Sequence, residues 1–141
     1  MAAPRTREEA LRHMRLAWLS FIASVALIVW AGEWIPGFSW LAFPHAGKTF
    51  VILGVYCILS FFWIWRKRYS PALRAIRSQP EDVQAVRRWM GFWTILICIA
   101  NAEILFGFAL RMGGKTLQQS LPFYVPGSLL ILWLWPRQVW S

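Results

Sequence analysis

The sequence predicts an all-α integral membrane protein with four transmembrane helices and both termini in the cytoplasm, and three observations carry that expectation. Of 141 residues, 58% are hydrophobic and 11 are Trp, more apolar surface than so small a soluble domain could bury. Four nearly uncharged runs, Leu16–Gly32, Thr49–Trp65, Trp89–Leu110 and Leu121–Trp135, reach or approach the length needed to cross a hydrocarbon core of about 30 Å at about 1.5 Å per residue. Of the 15 Lys and Arg, all but Lys48, Arg111 and Lys115 fall in the N-terminal, central and C-terminal connections, so the positive-inside rule places those connections in the cytoplasm. One membrane domain accounts for residues 1–141, and the cell inner membrane is its expected location.

The first span follows Arg5, Arg7, Arg12 and Arg15, with Thr6-x-x-Glu9 as a capping box that starts the helix before its apolar part. No small-x-small cleavage site follows it, which predicts an uncleaved signal-anchor. Beyond it, Glu33–Gly47 holds Trp34, Ile35, Phe38, Trp40, Leu41 and Phe43 broken by Pro36 and Pro44, a pattern suited to lying in the outer interface. The second span ends at the basic connection Arg66, Lys67, Arg68, Arg74, Arg77, Arg87 and Arg88. Within it, Ser70-Pro71 predicts the start of a short amphipathic helix, and Ser78-x-x-Glu81 a capping box opening the third long helix. Pro126-Gly127 should kink or locally unwind the fourth span.

Trp18, Trp63, Trp65, Trp89, Trp93, Trp133, Trp135 and Trp140 lie toward the cytoplasmic ends and Trp30, Trp34 and Trp40 toward the outer ends, as an aromatic belt would. The net charge of +9 forms a cytoplasmic collar that anionic lipid headgroups would attract. No nucleic-acid-binding motif accompanies it, so a nucleic-acid partner is not expected.

Small and polar residues mark the helix contacts. Ser20 and Ser24 are four apart in the first helix, and Gly54, Cys57 and Ser60 three apart in the second. In the third, Ala100, Glu103 and Gly107 share one face, with Thr94, Cys98 and Asn101 on nearly the opposite one. A helix with two such faces would sit centrally or bind a second protein.

Glu103 is the one acidic residue inside an apolar span, and a carboxylate there costs several kcal/mol unless paired, wetted or protonated. It lies about 10 Å inside the outer boundary at 1.5 Å per residue, and the same depth reaches Ser24, Tyr56 and Ser128 in the other spans. These four form either a polar layer in which hydroxyls hold the carboxyl, or a coincidence among serines that serve packing.

Other chemistry is not indicated. A haem bundle needs histidines inside the spans, whereas His13 and His45 lie outside them. Cys57 and Cys98 have no metal spacing, and no protease dyad or zinc motif occurs, so neither metal, cofactor nor enzymatic activity is expected. A self-contained transporter would show an internal repeat, but the two halves match only weakly, around Trp18 and Trp93.

The run Arg77-Ser78-Gln79-Pro80-Glu81, followed by Ala102-Glu103-x-x-x-Gly107, resembles the proteolipid (c) subunit of rotary ATP synthases over Thr49–Leu110. That resemblance implies a two-helix hairpin in which Glu103 binds and releases a proton. It also implies a polar loop near Arg77, Gln79 and Pro80 that contacts a rotor stalk. Two functions are therefore expected in order: a structural or accessory subunit of a larger membrane complex, partnered by other membrane subunits or copies of itself, and alternatively a proton-binding subunit using Glu103.

Overall fold

The computed structural model describes residues 7–35 and 45–136, and every regular element among them is helical. Helix α1 spans Arg7–Trp34, α2 Ala46–Ile64, α3 Ser70–Ser78, α4 Val83–Met112 and α5 Leu117–Trp133; a π-helical segment, Trp65–Tyr69, joins α2 to α3. Among the described residues three stretches are long and apolar enough to cross a membrane, Arg7–Trp34, Gly47–Ser78 and Val83–Met112, with mean hydropathies of 1.8, 1.8 and 1.9 over the most apolar 18 residues of each. Helix α5, at the expected fourth span, lies at the short end of the crossing range. With 17 residues α5 covers about 25 Å, against a core of about 30 Å. Thr6 of the expected capping box, the residues Pro36, Phe38, Trp40, Leu41, Phe43 and Pro44, and Arg5, Arg137 and Trp140 lie outside the described residues.

Helix α4 is the hub. It packs on α1, α2, α3 and α5, most extensively on α5. Of its most apolar stretch 44% is fully buried inside the bundle, against 6% for α1 and 11% for the α2–α3 stretch; α1 lays one face, Trp18, Phe21, Ile22, Val25, Ile28 and Val29, partly buried against the core, while α2 exposes Val51, Ile52, Leu53, Val55 and Leu59. The core runs along α4 through Trp89, Trp93, Leu96, Ile97, Ala100 and Ile104, joined by Met14 of α1, Phe61 of α2 and Ile131 of α5.

The π-helical segment precedes Pro71, which has no N–H for the Lys67 carbonyl. The Ser70 N–H reaches back to Trp65 O, an i to i−5 bond that opens the helix by one residue just before the proline. The short helix expected at Ser70-Pro71 is therefore α3, entered from a continuous helix rather than from a loop. It is amphipathic as expected, with Ile76 fully buried and Arg74 and Arg77 exposed.

The capping box expected at Ser78 is not what starts α4. Ser78 belongs to the end of α3, where its hydroxyl donates to Ala75 O at 2.9 Å. The cap of α4 is Asp82, whose carboxylate accepts the Gln84 N–H at 2.8 Å. Asp82 wins because its backbone is extended, as an N-cap requires, whereas Ser78 is still helical.

The α4–α5 reversal is closed by backbone bonds at both helix ends. The Lys115 N–H donates to Leu110 O and the Gly114 N–H to Arg111 O, the paired bonds of a Schellman motif, with Gly114 at φ 86 where a side chain would be strained. Thr116 then opens α5 through a reciprocal capping box with Gln119. From there α5 runs as a helix through Pro122 and Pro126, so of the kink or local unwinding expected at Pro126-Gly127, the unwinding does not occur. The close packing of Gly127 on α4 holds that turn in helical register.

The far end of α5 is held by two indoles. Trp18 Nε1 of α1 donates to Ile131 O at 2.7 Å, and Trp93 Nε1 of α4 donates to Leu134 O at 2.9 Å. Carbonyls past a helix C-terminus lack intrahelical donors, so the Trp93 bond satisfies Leu134 O where hydrocarbon could not, while Trp18 adds a second donor to Ile131 O, which also accepts the Leu134 N–H at 3.2 Å. Trp89 and Trp93 are 1% and 2% exposed and thus belong to the core, not to the aromatic belt expected of them. Trp30, Trp34, Trp63 and Trp133 are exposed, as belt residues would be.

Candidate functional site

The expected face Ala100, Glu103 and Gly107 of α4 is entirely buried, and Glu103 is 1% exposed. Two other helices close on it because each presents a glycine. A Cβ placed at Gly127 of α5 would lie 2.7 Å from Ile104 Cγ1, 2.9 Å from Ala100 O and 3.0 Å from Glu103 Cβ, so α5 touches the α4 backbone itself. A Cβ at Gly54 of α2 would lie 3.1 Å from Glu103 Oε2 and 3.1 Å from Phe123 Cε1. On α4, a Cβ at Gly107 would lie 2.8 Å from the Tyr124 ring. The carboxyl thus sits where α2, α4 and α5 meet, walled by glycine backbone and the Phe123 ring.

That enclosure leaves polar atoms without partners. Glu103 Oε1 is buried and accepts no hydrogen bond, and the Tyr124 hydroxyl, one turn closer to the α4–α5 reversal, is also buried and unpaired. A buried polar group left unsatisfied costs roughly 1–3 kcal/mol, so each orphan is held by the packing around it. Among the described residues no cation pairs with Glu103. The nearest one in α4, Arg111, directs Nη2 to Glu33 Oε1 of α1 at 3.0 Å and Nη1 to Lys115 O at 2.8 Å, while Lys115 is exposed. With Glu33 at 43% side-chain exposure, that pair contributes on the order of 0.2–1 kcal/mol after solvent screening, and it ties α1 to the reversal.

The hydroxyl layer expected around Glu103 is differently arranged. Tyr56 is 69% exposed and turned away from the bundle, and the Ser24 hydroxyl donates to Phe21 O of its own helix at 2.8 Å. Ser128 is half-buried beside Gly127. Depth along a helix follows from counting residues, but azimuth does not: Gly54 and Tyr56 lie about 200° apart around α2 at 100° per residue, and it is Gly54 that faces Glu103. The Gly54, Cys57, Ser60 row was the available signal for that face. Cys57 and Cys98 are both free thiols.

On the opposite side of α4, Thr94 and Cys98 are exposed and Thr94 bonds back to Met90 O. Asn101 is half-buried with Oδ1 unpaired. At the basic end, Arg77, Gln79 and Pro80 are exposed around the α3–α4 turn, and Gln79 closes it by donating to Ala75 O and accepting from Asp82 N–H. Near that end a cavity of about 490 Å³ opens between the π-helical segment, α3 and the start of α4. No protein-family model, curated protein or solved structure matches this chain.

Proposed function

We propose that this chain is an integral membrane protein of four transmembrane helices, with both termini cytoplasmic, that serves as a structural or accessory subunit of a larger membrane assembly. The observation that supports this most is the sealing of Glu103 by Gly54, Phe123 and Gly127 inside the chain's own bundle. That closure makes the α4 face a packing centre, whereas a ring-forming hairpin would need the equivalent face free for neighbouring copies, and here α5 covers it. The apolar side chains left outside, among them Val51, Ile52, Val55 and Leu59 of α2, offer a partner helix a continuous face.

The test is purification from native membranes in a polymer that preserves the surrounding lipid, followed by mass spectrometry. The expected result is co-purification of other membrane subunits or further copies in fixed ratio, resistant to carbonate extraction. A chain recovered alone and monomeric would overturn the reading.

A second reading, proton binding by Glu103, is favoured by its unpaired Oε1 and by the commitment of Arg111 to Glu33. A carboxylic acid carrying its proton needs no cation, and Glu103→Gln keeps its shape. On this reading the Gln variant assembles with wild-type stability but loses proton flux in reconstituted vesicles, and carbodiimide modifies the wild type at Glu103. Unchanged flux in the Gln variant would remove this role and leave Glu103 to packing alone.

A further inference from the structure

The cavity at the basic end has the chemistry of a bound amphiphile. Lys67 and Arg68 from the π-helical segment and Arg88 from α4 line it, opposed by one carboxylate, Asp82. Asp82 is occupied with capping α4, and none of the three cations is in an ion pair or hydrogen bond among the described residues. Three cations at a cavity of about 490 Å³ require an anion or separate solvation, and a phosphate matches their charge and their N–H donors.

The walls are not those of a simple anion site. Pro71 and Phe92 line the same cavity. From it, Arg88, Phe92, Ile95 and Ile99 follow one another at spacings of four, three and four, a single stripe of α4. Phe92 is half-buried and Ile95 is 45% exposed, so the stripe forms an open apolar track. Beside it, a Cβ at Gly91 would meet nothing within 4 Å, which leaves room along the track. The track runs about 16 Å from Arg88 to Ile99 at 1.5 Å per residue, the direction and scale of an acyl chain entering the hydrocarbon core.

The π-helical segment explains how two cations reach the cavity together. Trp65 and Tyr69 stack on each other with centroids 4.7 Å apart, and Tyr69 is buried, so the aromatic pair anchors the segment to the bundle. The widened turn between them carries Arg66, Lys67 and Arg68, all exposed. Such single-turn widenings recur at binding sites because they re-aim consecutive side chains.

We propose that this cavity is a specific site for one anionic phospholipid, with its phosphate held by Lys67, Arg68 and Arg88 and an acyl chain along Phe92, Ile95 and Ile99. The proposal goes beyond the subunit role and holds for either reading of Glu103.

Native mass spectrometry of the chain in neutral detergent tests it, with phosphatidylglycerol and phosphatidylcholine of identical chains offered together and glycerol 3-phosphate in a separate arm. The wild type should retain one phosphatidylglycerol in preference to phosphatidylcholine by about tenfold or more, from the effect of three basic groups on one anionic headgroup. Glycerol 3-phosphate should neither bind comparably nor displace the lipid at equal concentration. Lys67→Gln/Arg68→Gln/Arg88→Gln should abolish the preference, and Arg88→Gln alone should weaken it several-fold should the triple variant unfold. Arg74→Gln/Arg77→Gln/Arg87→Gln, which removes equal charge outside the cavity, should keep it.

Equal retention of the two lipids would overturn the proposal. Equal loss in the two triple variants would also overturn it, showing diffuse attraction to the basic collar. Comparable binding of glycerol 3-phosphate would replace the lipid with a free phosphate ester and overturn it as well.

Discussion

Gly127 controls how closely α5 approaches Glu103. Because its Cβ would fall 2.9 Å from the Ala100 carbonyl, a backbone atom that cannot swing aside, Gly127→Ala must push the two helices apart. Overpacking of this kind costs about 1–3 kcal/mol, and Gly107→Ala, facing the Tyr124 ring at 2.8 Å, should cost a similar amount. Gly91→Ala is the control: it meets open space in the middle of α4, so it should be neutral or stabilising by up to about 1 kcal/mol through helix propensity. Thermal unfolding in detergent reads all three, and equal melting temperatures for Gly127→Ala and Gly91→Ala would show that α5 does not press on α4 as described. Glu103 itself was legible in the sequence as the lone intramembrane acid, and so was its face, since Ala100 and Gly107 lie three and four residues away on a regular helix. Its neighbours were legible only in part: the row Gly54, Cys57 and Ser60 marked a contact face of α2, but residue counting fixes height and not rotation, so it pointed to Tyr56 where Gly54 is what meets the carboxyl.

At the scale of elements, the helix ends decide where α5 starts and stops. Its start is local, written in Gly114-Lys115-Thr116-x-x-Gln119, and could be read from the chain alone. Its stop is tertiary. The donors to Ile131 O and Leu134 O come from Trp18 and Trp93, residues 113 and 41 positions away, and no local pattern announces such a pairing. Trp93→Phe keeps the buried ring but withdraws a donor from a buried carbonyl, so it should cost about 1–3 kcal/mol. Trp18→Phe, partly buried, should cost less, and the pair should be worse than either alone. Hydrogen exchange of the last turn of α5 is the specific readout: it should quicken in both variants while the first turn, held by Thr116 and Gln119, stays protected. Uniform exchange along α5 would mean that the indoles only fill space.

For the whole molecule, the open matter is how many helices cross, because three crossings would put the C-terminal end opposite the N-terminal one and four would put them together. Length alone favours three, since α5 has 17 residues. Geometry favours four. Helix α5 leaves the reversal beside Met112 and returns along α4 until Leu134 meets Trp93, about 28 Å back at 1.5 Å per residue, nearly the full hydrocarbon thickness. Arg88 lies only about 8 Å further along α4, so Leu134 ends α5 close to the level of the basic collar. The charge asymmetry argues the same way, since Arg111 and Lys115 at the reversal oppose the collar across the bundle. Single cysteines at Ala75, Lys115 and Arg137, placed in a Cys57→Ser/Cys98→Ser background, test this with a thiol reagent that cannot cross membranes. Intact cells should label only residue 115, and disrupted cells all three. Labelling of residue 137 but not 75 in intact cells would establish three crossings, with α5 lying back against α4 short of the inner surface; labelling of 75 would invert the molecule and move the basic cavity to the outer leaflet.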